Sequence, residues 1–583
     1  WICPAGNREI SRWQAAANTG ILCPMNRPAS PAELTADIAH MDAQQLREFT
    51  ASLMQQLQQQ AGDLCQKQQI LEQQQRELAR RDEKIRFTTV ENEKLKYELA
   101  YLRRIRFGKK SEKLAGIQGL LFEEAIDEDL AAVETQLSRS APREEKQSRR
   151  QPKRQPLPPG LPHTEIRHDP ANRSCPCGCA LKHVRDDESR KLGYVPGTFF
   201  VEHHKRGIWA CPNCERIEQA PMPPCIIDKG IATPGLLAHV LVSKYGDHLP
   251  LYRQEAIYGR AGLTIARSTL GSWVGQCGVA LQPLVDALRR ELLEQGVLHA
   301  DETPVRILTV PKEGRKAGKG WLWTFVPGEK EAIRAVVYHF SDNRAGENAR
   351  GFLDDWKGAL VCDDFGGYKK GFRQGITEVG CMAHARRRFH DHWIHSKSPR
   401  AEEVLGYIKS FYAFEARIRD LDVEQRTALR QRELKPQIDA FFTWLGLQRQ
   451  KVANGTKLAK AIDYSLKRQA ALMRFLDDGR LPMDNTHAER QLRPVAVGRH
   501  NWLFTGSLRA GQRAAAIMSL IQTAKLNGHD PLAYLTDVLT RLPTQPMSRI
   551  GELLPHRCSR MRWSQPHRPP ARSSAAYIHS FTA

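Results

Sequence analysis

A chain of 583 residues is too long for one ordinary core, so several domains joined by linkers are expected. A formal net charge of +22 suits a polyanionic partner, nucleic acid first, because basic side chains that displace condensed counterions gain affinity whatever the sequence bound. The 13 cysteines, odd in number and partly clustered, point to a reducing compartment with a metal site and away from a disulfide framework. No run approaches the ~20 apolar residues that cross a bilayer, so a soluble, cytoplasmic protein with no membrane partner is expected.

Residues 1–40 are expected to be read-through or disordered, since the chain opens on Trp1 and the first methionines are Met25 and Met41. Residues 41–137 are rich in Gln, Glu, Lys, Arg and Leu, and Leu57, Leu64, Leu71, Leu78 and Ile85 recur every seven positions. This predicts a long α-helix with a half-built coiled-coil seam, because the second seam position holds Gln60, Lys67, Gln74 and Arg81. Self-association into a homo-oligomer is the expected use.

Residues 138–162 read as a basic, proline-rich linker. The 163–230 stretch carries Cys175-Pro-Cys177-Gly-Cys179 and Cys211-Pro-Asn-Cys214 around strand-forming runs at 198–201 and 208–210. Two cysteine knuckles fit a tetrahedral zinc site using four of these five thiols; the compressed first knuckle leaves open which two of its three bind. Residues 231–290 are helical, with a turn at Gly262 and a helix carrying Leu270 and Trp273. The pattern fits either a helix-turn-helix or a packed helical hairpin.

From Val297 onward, apolar runs end in acids. Val297–Ala300 leads into Asp301, Trp321, Trp323 and Phe325 share one face of a second strand, 335–340 makes a third, and 359–362 leads into Asp363. A mixed α/β core over 291–510 is expected, with a helical insertion at about 400–480, a C-terminal helical segment over 511–556 and a disordered tail at 557–583. Phosphoryl transfer between nucleic-acid strands needs charge neutralised on the scissile phosphate, and hard divalent ions gathered by converging carboxylates supply this. Asp301 and Asp363 at strand ends, with Glu489 from a helix, are the candidate ligands for Mg²⁺ or Mn²⁺. Each aspartate has an acidic neighbour, Glu302 and Asp364, and adjacent strand residues face opposite sides, so only one of each pair can reach the ions. Arg386, Arg387 and Arg388, then Arg490, Arg493, Arg499 and Lys525, are candidate phosphate contacts, and Trp502 is a candidate stacking platform for a base.

Several motifs in one order resemble the insertion-sequence-66 family of transposases. They are His299-Ala-Asp-Glu-Thr-Pro-Val305, Val361-Cys-Asp-Asp-Phe-Gly-Gly-Tyr368, Gly380-Cys-Met-Ala-His-Ala-Arg-Arg-Arg-Phe389, Asp484-Asn-Thr-His-Ala-Glu-Arg-Gln-Leu-Arg-Pro494 and Gly498-Arg-His-Asn-Trp-Leu-Phe-Thr-Gly506. The resemblance implies a zipper-like N-terminal region, a zinc-binding domain and a ribonuclease-H-like catalytic core whose three acids match Asp301, Asp363 and Glu489. It also implies a bacterial, nucleoid-associated enzyme that nicks double-stranded DNA at element ends and joins them to target DNA, aided by accessory proteins of the same element. His487 and His500 depart from the usual pattern, and a catalytically decayed DNA-binding relative is the alternative.

Overall fold

The computed structural model describes residues 42–107, 117–140, 161–195, 197–307, 318–502 and 505–559. The expected read-through, most of the basic linker and nearly all of the tail lie outside these residues. Two compact units divide the chain, residues 1–91 and 92–583. None of the described helices is long and apolar enough to cross a membrane.

Helix α1 spans Ala43–Phe107. Its exposed faces carry i,i+4 pairs such as Glu77–Arg81 at 2.6 Å, each worth a few tenths of a kcal/mol. Leu57, Leu64, Leu71, Leu78 and Ile85 remain 57–67% exposed, an apolar seam with nothing packed on it.

The second unit is built on a core whose members run from Leu192 to Ile376 and again from Ala488 to Leu554. Helix α2 (Ile117–Ser140) enters it acid first: Glu124, Glu128 and Asp129 are buried. Lys244 pairs with Glu124 and Glu128, and Arg513 meets Glu128 at 2.5 Å and Asp129 at 3.0 Å. Gly275 makes the approach possible, since a Cβ there would overlap the Glu128 carbonyl. Strands β1 (His163–His168), β2 (Lys182–Val195), β3 (Thr198–Ala210) and β4 (Ile217–Gln219) form a small sheet in which β3 is central. The polar middle of β2 and β3 is stitched by cross-strand charge pairs, Glu188 with His203 at 2.8 Å and Asp187 with Arg206. This is why the two apolar runs expected at 198–201 and 208–210 are one strand.

Helices α3 (Pro234–Tyr245), α4 (Leu251–Arg260) and α5 (Arg267–Leu293) follow. Gly262 takes the turn with φ +79°, and Leu270, Gly271, Trp273 and Val274 are buried at the start of α5. These side chains face the core, as one face of either a packed hairpin or a helix-turn-helix does, while Ser268, Thr269, Ser272 and Gln276 lie on the more exposed face.

The main sheet has the order β7 (Val337–Ser341), β6 (Gly318–Pro327), β5 (Val297–Ile307), β8 (Ala359–Cys362), β9 (Thr377–Gly380). The first three strands are antiparallel neighbours, while β8 runs parallel to β5 and β9 parallel to β8. Helix α6 (Gly346–Leu353) lies between β7 and β8 in sequence, and α7 (Lys369–Arg373) between β8 and β9. After β9, α8 (Met382–Ser396), α9 (Pro399–Arg417), α10 (Val423–Leu429), α11 (Lys435–Gln450), α12 (Lys457–Lys467) and α13 (Gln469–Met473) form a helical insertion with its own apolar cluster. The chain then returns through α14 (Thr486–Trp502) beside β5, and α15 (Leu508–Leu526) packs on β7, where Ser519 and Thr523 accept the Tyr338 and Val336 N–H groups. Helix α16 (Pro531–Arg541), capped by Asp530, closes the core.

Candidate functional site

The two cysteine knuckles come together at one end of the small sheet. The Sγ atoms of Cys175, Cys177, Cys211 and Cys214 all lie within 4.8 Å of one another. Gly178, at φ +86°, turns the first knuckle, and Cys179 is the thiol left outside the cluster. The N–H groups of Cys214 and Asn213 point at Cys211 and lower its thiol to about 6, favouring the thiolate that binds metal. Although the Cys177 N–H works the other way, burial and the neighbouring thiols push Cys175 up to about 12. A donor set of four sulfurs with one thiolate already favoured fits a soft tetrahedral ion.

The acids gather on the main sheet. Asp301 stands on β5, Asp363 follows β8, the parallel neighbour of β5, and Glu489 sits in the first turn of α14. Burial first, then the charges of Glu302, Asp363 and Glu489, raise the Asp301 carboxyl to about 7. Asp301 Oδ1 accepts the Glu302 N–H at 2.9 Å, and Asp363 Oδ1 accepts the Phe365 N–H at 2.9 Å. Neither aspartate has an ion-pair partner among the described residues.

Their sequence neighbours are engaged elsewhere. The Glu302 side chain is 1% exposed, pairs with Arg344 at 2.5 Å and accepts the Tyr368 hydroxyl at 2.9 Å. Asp364 pairs with Arg468 and Lys369; burial opposes them, yet these cations hold its carboxyl below the usual range. The loop carrying Asp363 is held tight at Gly367, where a Cβ would collide with the Phe365 ring and with Gly346.

The basic candidates separate into groups. Arg386, Arg387 and Arg388 are exposed on α8, with Arg387 Nη2 3.5 Å from Glu489 Oε2 and Arg388 4.0 Å over the Tyr464 ring. Arg490 and Arg493 are exposed on α14. Arg499 turns inward to Thr303 Oγ1 at 3.3 Å and the Pro304 carbonyl at 3.1 Å. Trp502 is half-buried against the core, and Lys525, at the end of α15, neighbours Asp247 and His248. Arg509 and Arg513, part of the same basic run, serve ion pairs with Glu98, Glu128 and Asp129.

Two residues quoted in the motifs were not singled out for the site. His384, on α8, has Nε2 3.8 Å from Glu489 Oε1, while its buried Nδ1 has no hydrogen-bond partner among the described residues. Asn485, 0% exposed, bridges β5, α8 and α14. Their only sequence signal is proximity to Cys381 and Glu489.

The main sheet carries Asp301 and Asp363, the arginine-bearing helices α8 and α14 meet at Glu489, and the small sheet holds a four-thiol knuckle. Residues 229–513 match the model of the IS66 transposase family, 519–556 its C-terminal element, 172–215 the zinc-finger binding domain of the IS66 transposase, and 94–166 a domain described as "Transposase C of IS166 homeodomain". Three uncharacterized proteins of Sinorhizobium fredii are similar to this chain. The protein y4hP is 33% identical over 79% of this chain and 88% of its own length, y4qI 34% over 78% and 87%, and y4jD 33% over 79% and 94%. The chain belongs to the IS66 transposase family.

Proposed function

We propose that this chain is a DNA transposase of the three-carboxylate type, cutting the ends of a bacterial insertion sequence and joining them to target double-stranded DNA. The observation that carries the reading is Asp301: its largely buried carboxyl is within electrostatic reach of Glu302, Asp363 and Glu489, with no ion-pair partner among the described residues. Such an arrangement fits Mg²⁺ or Mn²⁺, which prefer converging oxygens. The strand order, three antiparallel strands followed by two parallel ones, supports a ribonuclease-H-like core.

Asp301, Asp363 and Glu489 hold the divalent ions, which when bound neutralise charge on the scissile phosphate and hold the attacking oxygen in line. Arg386, Arg387, Arg490 and Arg493 hold the flanking phosphates, and the Arg387–Glu489 contact places one guanidinium at the crevice rim. Cys175, Cys177, Cys211 and Cys214 hold a structural zinc that supports the small sheet. The unpacked seam of α1 mediates homo-oligomer assembly, and accessory proteins of the same element assist at the nucleoid.

Mg²⁺-dependent cleavage and joining of a labelled fragment bearing the element's own ends tests this, comparing the wild-type chain with Asp363→Asn. Activity lost in the variant with end binding retained is the expected result. End binding by both proteins with cleavage by neither would replace the reading with a decayed, regulatory DNA-binding relative.

A further inference from the structure

Asn485 is wholly buried where β5, the start of α8 and the first turn of α14 meet. Its Nδ2 donates to the Ala300 carbonyl at 2.8 Å, one residue before Asp301. Its Oδ1 lies 2.9 Å from His299 Nδ1, on the same strand. Its main-chain N–H reaches Cys381 Sγ at 3.2 Å, at the start of α8. Its own carbonyl accepts the Glu489 N–H at 3.2 Å, which fixes the first turn of α14.

Two of these four contacts use both ends of the side-chain amide, and two use the main chain. The Ala300 carbonyl can only accept, so the amide turns Nδ2 towards it and Oδ1 towards His299, whose Nδ1–H donates. A carboxylate of the same shape would present an oxygen to that carbonyl, and a leucine would leave two buried polar groups unpaired.

We infer that Asn485 is a positioning residue, which sets the separation of Glu489 from Asp301 by pinning the first turn of α14 to the β5 main chain, and so fixes the affinity of the crevice for its divalent ions. The inference rests on the three-acid reading above. Partners that orient metal ligands typically contribute 10–100-fold to metal affinity.

The test is Mn²⁺ binding to the full, zinc-saturated chain, read from the signal of free Mn²⁺ in electron paramagnetic resonance, in the wild type, Asp301→Asn, Asn485→Asp and His299→Gln. Asn485→Asp adds a negative charge beside the crevice, so an effect of charge alone would tighten Mn²⁺, whereas lost positioning weakens it. A weakening of about 10–100-fold is expected, with His299→Gln toward the lower end of that range. Unchanged or tighter binding in Asn485→Asp overturns the proposal. Should that variant fail to fold, as judged by zinc content and circular dichroism, unchanged binding in His299→Gln overturns it. If the wild type binds no Mn²⁺, or Asp301→Asn binds it equally well, the three-acid reading fails, and the positioning role with it.

Discussion

The thiol knuckle and the acid site proposed above are built in opposite ways. Four sulfurs within 4.8 Å of one another come from two short turns of one small sheet, so that site is compact and closed. The three acids come from two strands and a helix spread over residues 301–489, and depend on intermediaries such as Asn485 for their placement. A structural ion needs a complete ligand shell, whereas an ion that must meet a phosphate needs open positions. The same contrast separates two kinds of buried acid. Glu128 and Asp129 carry Arg513 as a built-in cation, but Asp301 has no such partner among the described residues.

The largest effect expected on either side is loss of zinc. Apparent binding energies of structural zinc sites run to about 10–16 kcal/mol, so Cys211→Ser should abolish zinc retention and expose the β1–β4 sheet to proteolysis. Cys179→Ser should retain one zinc per chain by elemental analysis. Zinc loss in that variant would transfer a ligand role to Cys179 and break the four-thiol assignment.

Next comes the fastening of α2. Removing one partner of a buried ion pair costs about 3–5 kcal/mol, and Arg513→Ala leaves both Glu128 and Asp129 without it. The thermal midpoint should fall by several degrees, and an unchanged midpoint would mean these pairs are not buried in solution.

Asp301 sharpens the comparison through pH. Its folded-state value of about 7 lies above the ordinary 3.8, so the native state holds a proton that the unfolded chain has lost. Stability should therefore fall as pH rises through that window, with the loss complete above it. At pH 8 without added divalent ion, Asp301→Asn should melt higher than wild type, and the two should converge near pH 4. Mg²⁺ should raise the wild-type midpoint at pH 8 and leave that of the variant nearly unchanged. Equal midpoints at pH 8 would show that the Asp301 carboxyl is not held in a crevice of like charges.

The sequence made some of this legible and concealed the rest for physical reasons. The cysteine spacings and the acid that follows β8 are local patterns, whereas Asp301, expected at a strand end, stands inside β5, which runs on to Ile307, and Glu302 and Asp364 are engaged in ion pairs. The long helix followed from its heptads. The middle of β2, Arg185-Asp-Asp-Glu-Ser-Arg-Lys191, has no apolar alternation, because its strand pairing is satisfied by charges on β3 that no single-strand pattern contains. The ion pairs of Arg509 and Arg513 are not visible in the local pattern, because their acidic partners lie more than 370 residues earlier in the chain. Asn485 and His384 were hidden for the same reason, as a buried amide bridging three elements is defined only once those elements meet.

The smallest effect separates arginines that face solvent from one that faces the protein. Arg490 and Arg493 project from α14 into solvent, while Arg499, two turns on, spends its guanidinium on Thr303 and the Pro304 carbonyl. A phosphate contact releases about one counterion, so Arg490→Ala and Arg493→Ala should each lower the salt dependence of DNA binding by about one unit of slope, uniformly across sequences. Arg499→Ala should leave that slope unchanged, because its Nη1 is already bound to β5, and should instead loosen α14 and lower the thermal midpoint. A slope that falls for Arg499→Ala and not for the other two would mean that α14 turns on binding DNA, carrying Glu489 with it. In that case the acid crevice is assembled by its substrate, which is the property the closed thiol knuckle cannot have.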